Sequence, residues 1–246
     1  MNYLTLALAP GILICAFIFY RDRYNREPKL NIIISFILGC AAIIPAIYFE
    51  KTFTYVLDGT VSGVAVFAYA IVAFSEETSK FIGLRFYSYN TKSFDEPFDG
   101  IVYSVMVSMG FATLENVLYV MKYAELGQGL QVGLQRMFLS VPAHGTFAVV
   151  MGYFVGKAKF NSKNSLGLML AGLLGAIFFH GTFDFFLFIH ENSFWGREIS
   201  ETLLVAGALV SFGIALLLSR RLIRRQRELS KRAFEFEKEK HIPPVV

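Results

Sequence analysis

Long apolar runs separated by short polar segments make up most of this chain. Seven runs are each long enough to cross a hydrocarbon core, at residues 3–20, 30–49, 60–84, 98–121, 134–155, 166–189 and 199–219. The pattern predicts an all-α membrane protein, a polytopic bundle of about seven transmembrane helices. We expect residues 1–219 to form this membrane domain and residues 220–246 to form a basic, amphipathic cytoplasmic tail near anionic headgroups.

Composition and charge agree with the hydrophobic pattern. The chain has 246 residues, of which 55% are hydrophobic and 17% charged, unlike a soluble domain. Basic residues concentrate after the first, third, fifth and seventh runs, and short loops rich in lysine and arginine stay in the cytoplasm. This places the N-terminus outside and the C-terminus inside. The net charge of +4 follows from this topology and the tail, so the expected partner is the lipid bilayer and not nucleic acid.

Two adjacent carboxylates and a lysine interrupt the third run. A charged side chain at the centre of a spanning helix costs roughly 2.5 to 3.5 kcal/mol, so Glu76, Glu77 and Lys80 indicate a functional site. Neighbouring residues point about 100° apart around a helix. We therefore expect one carboxylate to be catalytic and the other to support it. The alternative is a neutralised pair with Lys80 at the cytoplasmic boundary.

Three later runs carry polar residues of their own. They are Glu115 with Asn116, His144, and His180 with Asp184. At about 1.5 Å per residue, Glu76, Glu115, His144 and His180 fall within about 8 Å of one level in the bilayer. A common depth on four different runs predicts that these side chains share one cavity.

Small residues recur every fourth position beside these polar residues. Ala112, Ala148 and Ala176 each lie one turn from a candidate site residue. Small residues let helices approach closely in lipid. We therefore expect the fourth, fifth and sixth spans to meet along these positions. Cys15 and Cys40 lie inside apolar runs, which favours two small core residues over a disulfide or a thiolate metal site.

Four segments together resemble a known family. Residues 75–80 (SEETSK), 98–103 (FDGIVY), 110–116 (GFATLEN) and 180–184 (HGTFD) are similar, in the same order, to the motifs of the PrsW membrane proteases. The resemblance implies an intramembrane endopeptidase of the bacterial inner membrane. Such an enzyme makes the first, extracytoplasmic-side cut in anti-sigma factors, which are single-pass membrane proteins. It also implies membership of the CAAX prenyl endopeptidase and bacteriocin-immunity superfamily.

The superfamily pattern is kept in two places and broken in one. It consists of a Glu-Glu pair followed by a basic residue, an FxxxH and an HxxxN/D. Lys80 supplies the basic residue, and His180 with Asp184 supplies the third element. Phe111, however, is followed four residues later by Glu115. Either His144 supplies the missing imidazole, or the enlarged carboxylate set holds a metal.

The residue types leave two mechanisms open. Peptide hydrolysis needs a base for water, a donor to the oxyanion and a proton for the leaving amine. In the first mechanism Glu76 is the base, and Asn116 and His180, oriented by Asp184, are the donors. In the second, Glu76 or Glu77 binds a catalytic zinc ion together with His144 and His180. The sequence contains no HExxH motif to decide between them.

The main rival function is proton-coupled transport. Glutamate and histidine side chains inside membranes also form proton relays. The candidate residues of either function are Glu76, Glu77, Glu115, Asn116, His144, His180 and Asp184. Replacing Glu76 by glutamine should abolish product formation in a peptidase and proton-coupled uptake in a transporter.

Overall fold

The computed structural model describes residues 3–240 as a bundle of helices. Seven helical segments are long and apolar enough to span a membrane: Tyr3–Arg21, Lys29–Thr52, Val61–Asn90, Pro97–Glu125, Gly129–Lys159, Ser165–Asn192 and Glu201–Phe236. Their number and positions confirm the predicted fold class. Large apolar side chains such as Ile44, Leu174 and Val210 lie exposed on the outer surface, where lipid chains would cover them.

The α-helices are α1 (Tyr3–Arg21), α2 (Lys29–Thr52), α3 (Val61–Val66), α4 (Phe74–Phe86), α5 (Pro97–Glu125), α6 (Gly129–Phe138), α7 (Ser140–Lys159), α8 (Ser165–Asn192) and α9 (Glu201–Lys240). Short 3₁₀ turns lie at Thr54–Val56, Ser88–Asn90 and Gly196–Glu198. A π-helical segment, Phe67–Ala73, joins α3 to α4 within one span. Helix α5 begins with Pro97 in its first turn, and Glu96 and Asp99 form a capping box there.

Helices α5 and α7 form the centre of the bundle, and their backbones touch. A methyl group added to Gly100 would lie 2.4 Å from the carbonyl oxygen of Gly152, so only glycine fits there. Further along the same contact, the Ser108 hydroxyl donates a hydrogen bond of 3.1 Å to the carbonyl oxygen of His144. Close packing through small residues fixes the position of α7 against α5.

Helix α7 lies between α5 and α8 and presents a different face to each. Ala112 and Ala148 belong to one apolar core, and Ala176 belongs to a second one on the α8 side. All three alanines are at most 1% exposed. The predicted small-residue contacts are therefore present between α5 and α7 and between α7 and α8, with α7 as the shared partner.

The fifth span is broken, which the sequence analysis missed. The predicted continuous run at 134–155 divides at Leu139 into α6 and α7. Pro142 explains the break, because proline has no N–H and its ring clashes with the carbonyl group four residues earlier. The change of direction at Leu139 places α6 beside α1 and α5.

Helix α9 runs through residue 219 without interruption. The helix still packs against the rest of the bundle near residue 230, where the Ser230 hydroxyl donates a hydrogen bond of 2.7 Å to Glu96 Oε1. Gln226, one turn earlier, is buried. The segment at 220–240 is thus a continuation of the last spanning helix, and residues 241–246 of the predicted tail lie outside the described residues.

Candidate active site

A buried lysine joins the two glutamates of the third span. Lys80 Nζ lies 2.9 Å from Glu76 Oε2, 2.9 Å from Glu77 Oε1 and 3.1 Å from His144 Nδ1. The Lys80 side chain is only 2% exposed, and its ammonium lies 4.0 Å from the centre of the Phe111 ring. Although the two glutamates are about 100° apart around α4, both side chains reach Lys80 on the next turn.

An irregular helix leads into this pair. The π-helical turns at Phe67–Ala73 directly precede α4, and such turns often occur at functional sites. The Tyr69 hydroxyl lies 2.8 Å from the Thr182 hydroxyl on α8. Gly181 allows this approach, because a methyl group there would lie 2.4 Å from the Tyr69 ring. The π-helical segment is therefore held against α8 next to His180.

Hydrogen bonding determines the protonation of His144. The Lys80 ammonium can only donate, so His144 Nδ1 accepts from it and the ring proton lies on Nε2. Nε2 then donates to Glu115 Oε2 at 3.2 Å. His144 is consequently a neutral imidazole that connects the carboxylate of α5 to the lysine of α4.

His180 lies between two carboxylates. Its Nδ1 is 2.9 Å from Glu77 Oε1, and its Nε2 is 3.1 Å from Asp184 Oδ2 and 4.0 Å from Glu76 Oε2. A carboxylate only accepts hydrogen bonds, so an imidazole that bonds to one at each nitrogen is an imidazolium. The predicted partnership of His180 with Asp184 is present, and Glu77 is a second partner.

Arg136, which the sequence analysis did not select, belongs to this cluster. Its Nη2 forms an ion pair of 2.6 Å with Glu115 Oε2. Its guanidinium carbon lies 4.2 Å from the centre of the Tyr119 ring. Arg136 reaches Glu115 because α6 breaks away from α7 at Leu139. The sequence signal that could have identified Arg136 was a basic residue in the last turn of the helix now seen at Gly129–Phe138.

The Asn116 amide bonds to α1 and to Arg136, which corrects the prediction that it donates to an oxyanion. Its side-chain amide nitrogen donates to the carbonyl oxygen of Ala7 at 2.9 Å, and its oxygen accepts from Arg136 Nε at 3.1 Å. Adjacent helical residues differ by about 100°, so when Glu115 faces the cluster Asn116 faces α1. Asn116 positions Arg136 instead.

We call the group of charged and histidine side chains on these helices the membrane site. It comprises Glu76, Glu77, Lys80, Glu115, Arg136, His144, His180 and Asp184. A cavity of about 600 Å³ reaches it, and Glu76, Glu115, His144, His180 and Asp184 are among the lining residues. Glu77 is 1% exposed and does not line the cavity. The cavity therefore gives access to Glu76 rather than to Glu77.

The cavity is bounded by the C-terminal ends of α2, α5 and α8. Lys51, Lys122 and Asn192 line it there. Glu50, which the sequence analysis did not select, also lines it and lies 3.4 Å from the Ser75 hydroxyl. These helix ends lead into the loops that the charge distribution predicts to be extracytoplasmic.

The ligand types at the membrane site fit a divalent metal. Glu76, Glu77, His144 and His180 each offer an atom, and these atoms lie within 4.8 Å of one another. Two carboxylates and two imidazoles are a suitable set for zinc. Glu77 Oε2 is also buried without a hydrogen-bond partner among the described residues. A bound ion would compete with Lys80, whose ammonium contacts three of the four side chains.

The fold and the cluster together define a class of protein. A bundle of seven apolar spans that encloses carboxylates, imidazoles and a lysine beside an accessible cavity is the architecture of a membrane-embedded hydrolase. Comparison with known proteins narrows the class. Residues 27–218 match the PrsW family of intramembrane metalloproteases, and the chain belongs to this family.

Individual relatives agree with the family assignment. The protease PrsW of Geobacillus kaustophilus is 36% identical over 197 residues, which cover 79% of this chain and 83% of the relative. The protease PrsW of Bacillus subtilis is 34% identical over 193 residues, covering 75% and 82%. That of Clostridioides difficile is 34% identical over 193 residues, covering 77% and 80%. No solved structure matches the chain. The protein is thus an intramembrane peptidase, as the sequence motifs predicted.

Proposed function

We propose that this peptidase cuts single-pass membrane proteins near the outer end of its bundle, with anti-sigma factors as the substrate class. The membrane would be a bacterial inner membrane, with the N-terminus of the enzyme outside. The observation that carries the proposal is the cavity beside Glu76, which opens among the C-terminal ends of α2, α5 and α8. A cut made from this end is a site-one-type cut on the extracytoplasmic side.

Glu76 is the group that we assign to the activation of water. It lines the cavity, whereas Glu77 is enclosed between Lys80 and His180. Glu76 Oε2 bonds to Lys80 at 2.9 Å, so one carboxylate oxygen is held while the side chain faces the cavity. A carboxylate that is held in this way and lines a cavity open to water can act as a general base.

His180 is the proposed donor to the substrate. Glu77 holds the imidazolium at Nδ1, and its Nε2–H, which bonds to Asp184 in this structure, would bond to the substrate in the cavity that Glu76 also lines. A positive charge at this point would stabilise the oxyanion that forms on the attacked carbonyl group, and it can give a proton to the departing amine. Because the Asn116 amide bonds to α1 and to Arg136, it has no part in this step.

His144 takes the place of the histidine that the superfamily pattern expects after Phe111. Glu115 occupies that sequence position, and His144 from α7 lies 3.2 Å from its carboxylate. The Phe111 ring and the His144 ring are 6.1 Å apart between centres. This contact supports our proposal that the chain belongs to the CAAX prenyl endopeptidase and bacteriocin-immunity superfamily, with the imidazole supplied by a different helix.

A divalent metal such as zinc is compatible with the same residues. Glu76, Glu77, His144 and His180 would hold it, and Glu115 would support His144 through its Nε2 hydrogen bond. When bound, zinc polarises a carbonyl group and favours the ionisation of water. Asp184 would keep the His180 ring in place in either case.

The experiment is cleavage of a single-pass peptide substrate by the purified protein in liposomes. Glu76→Gln should lower turnover by about 10²- to 10⁴-fold, as expected on loss of a general base. Glu125→Gln is the matched control, because Glu125 is an exposed carboxyl at the end of α5 and lies outside the cavity. Wild-type turnover by Glu76→Gln would contradict the assignment.

A second arm separates the two mechanisms. Dialysis against a chelator, followed by addition of zinc or magnesium, should remove and restore activity only if a metal is required. Unchanged turnover after chelation favours water activation by Glu76 without a metal. The position of the cut, read by mass spectrometry of the fragments, tests the proposed extracytoplasmic side.

A further inference from the structure

A second cavity, of about 470 Å³, lies among α1, α5, α7 and α9. This volume is in the range of about 300 to 1,000 Å³ that is usual for ligand sites. Much of its wall is apolar and includes Ile14, Ile18, Val105, Val149 and Leu216. We call it the α1–α9 groove. None of its lining residues belongs to the membrane site or lines the other cavity.

Four arginines line the same groove. Arg21 ends α1, and Arg220, Arg224 and Arg227 follow one another on a single face of α9 at spacings of four and three residues. Among residues 3–240, none of these four arginines forms an ion pair with a carboxylate. Arg227 Nε is buried and has no hydrogen-bond partner in the described part of the chain. The groove therefore combines an apolar wall with uncompensated positive charge.

The arginines lie at the depth of lipid phosphates. Arg21 follows Tyr3 by about 27 Å of helix, and Arg220 follows Glu201 by about 28 Å. Both lengths are close to the ~30 Å of a hydrocarbon core, so these guanidinium groups lie at its edge. Ile14 and Leu216 lie farther inside, at the level of the acyl chains. Arg224 and Arg227 lie farther out, in the headgroup region.

We infer that the α1–α9 groove binds one anionic glycerophospholipid. An acyl chain would lie against the apolar wall, and the phosphate and the headgroup would bond to the arginines. Guanidinium groups bind phosphate oxygens with paired, charge-assisted hydrogen bonds. The lipid would bridge α1, α7 and α9, because Thr146 and Val149 of α7 also line the groove.

A basic helix also attracts anionic membranes without any specific site, through its charge alone. The chain contains a control for this effect. Arg221 and Arg225 lie on the same turns of α9 and are exposed, but they do not line the groove. Replacing Arg220 and Arg224 changes the net charge as much as replacing Arg221 and Arg225. The two double variants should therefore differ in lipid binding only if the groove is a specific site.

The test is thermal unfolding of the full-length protein in neutral detergent, with phosphatidylglycerol or phosphatidylcholine added. At about a hundredfold excess over Kd, phosphatidylglycerol should raise the unfolding midpoint by about 5 to 10 °C, and phosphatidylcholine should not. The double variant R220Q/R224Q should lose this rise. The charge-matched variant R221Q/R225Q should keep it.

Three outcomes would overturn the inference. Equal loss in both double variants would indicate bulk attraction, and an equal effect of the two lipids would indicate unspecific solvation. An effect of inorganic phosphate as large as that of phosphatidylglycerol would indicate a phosphate site that does not hold an acyl chain.

If R220Q/R224Q does not fold, Leu216→Trp replaces it in the test. This variant fills the apolar wall without changing charge and should reduce the phosphatidylglycerol retained in native mass spectrometry.

Discussion

The protein contains two buried groups of carboxyls, and they are neutralised in different ways. In the membrane site, Lys80 and Arg136 pair with glutamates at 2.6 to 2.9 Å, and His180 bonds to a carboxylate at each ring nitrogen. The second group, which we call the inner acidic cluster, lies near the start of α5. It comprises Asp22, Glu27, Glu96 and Asp99. Among residues 3–240, no lysine or arginine forms an ion pair with it.

The carboxyls of the inner acidic cluster have raised pKa values instead of cation partners. The pKa of Asp22 is raised from 3.8 to about 7, mainly by burial and also by the nearby carboxyls of Glu27 and Glu96, against the opposing effects of the Glu27 backbone N–H and of Arg26. Burial also raises the pKa of Glu27 and that of Glu96. The comparison teaches that burial alone leaves a carboxyl neutral. In the membrane site the glutamates have cations as partners, which Lys80 supplies from the same helix and Arg136 from another one.

The largest effect is expected from removing the cation of the membrane site. Lys80→Met would remove the closest cation of Glu76 and leave Glu77 with His180 alone, and breaking a buried ion pair in this way typically costs about 3 to 5 kcal/mol of unfolding free energy. Thermal unfolding in detergent at pH 7 measures the loss. Adding Glu77→Gln to Lys80→Met should recover part of it, because one of the two carboxylates that Lys80 neutralised is then gone.

Lys231→Met is the control for this prediction. Lys231 pairs with Glu235 at 3.4 Å, one turn apart, and both side chains are more than half exposed. Exposed pairs on a helix contribute at most about 0.5 kcal/mol. If Lys80→Met were as stable as Lys231→Met, the membrane site would not depend on internal cations. The contrast between the membrane site and the inner acidic cluster would then be wrong.

A smaller effect is expected from overpacking the helix contact behind the membrane site. Ala148 is 1% exposed and lies one turn from His144, so Ala148→Leu should cost about 1 to 3 kcal/mol and abolish peptide turnover by displacing α7. Ala41→Leu on the exposed face of α2 is the matched control and should keep wild-type turnover. Turnover by folded Ala148→Leu at the wild-type rate would show that the site tolerates movement of α7.

The sequence predicted the spans and the convergence of the polar residues, because hydrophobic run length and helical rise are local properties. It could not predict which way a side chain points. Asn116 and Glu115 are neighbours in the chain, yet one contacts α1 and the other His144. Arg136 was missed because its position depends on the break at Leu139. The contacts of Lys80 with three side chains depend on how α4 and α7 pack, which no local pattern records.

The smallest effect, and the sharpest test of the inner acidic cluster, comes from Asp22. Its Oδ2 accepts the Glu27 backbone N–H at 3.0 Å, while Oδ1 is buried without a hydrogen-bond partner among the described residues. Since the folded protein holds a proton at Asp22 up to about pH 7 and the unfolded chain only to about pH 4, the folded state binds more protons between these values. The free energy of unfolding should therefore fall as the pH rises from 4 to 7.

Asp22→Asn is neutral at every pH and can still accept the hydrogen bond from Glu27. It should reduce this slope, leaving the contributions of Glu27 and Glu96, and should be more stable than the wild type above pH 7. Asp58→Asn should have the opposite effect on the pH dependence of the unfolding free energy. Hydrogen bonds from the Thr60 hydroxyl and backbone N–H lower the pKa of Asp58, so this exposed carboxyl contributes stability that is lost as the pH falls. Detergent unfolding curves from pH 4 to 8 measure both variants. If the unfolding free energy of Asp22→Asn depended on pH as that of the wild type does, Asp22 would be charged in the folded protein. A cation would then have to neutralise it, as in the membrane site.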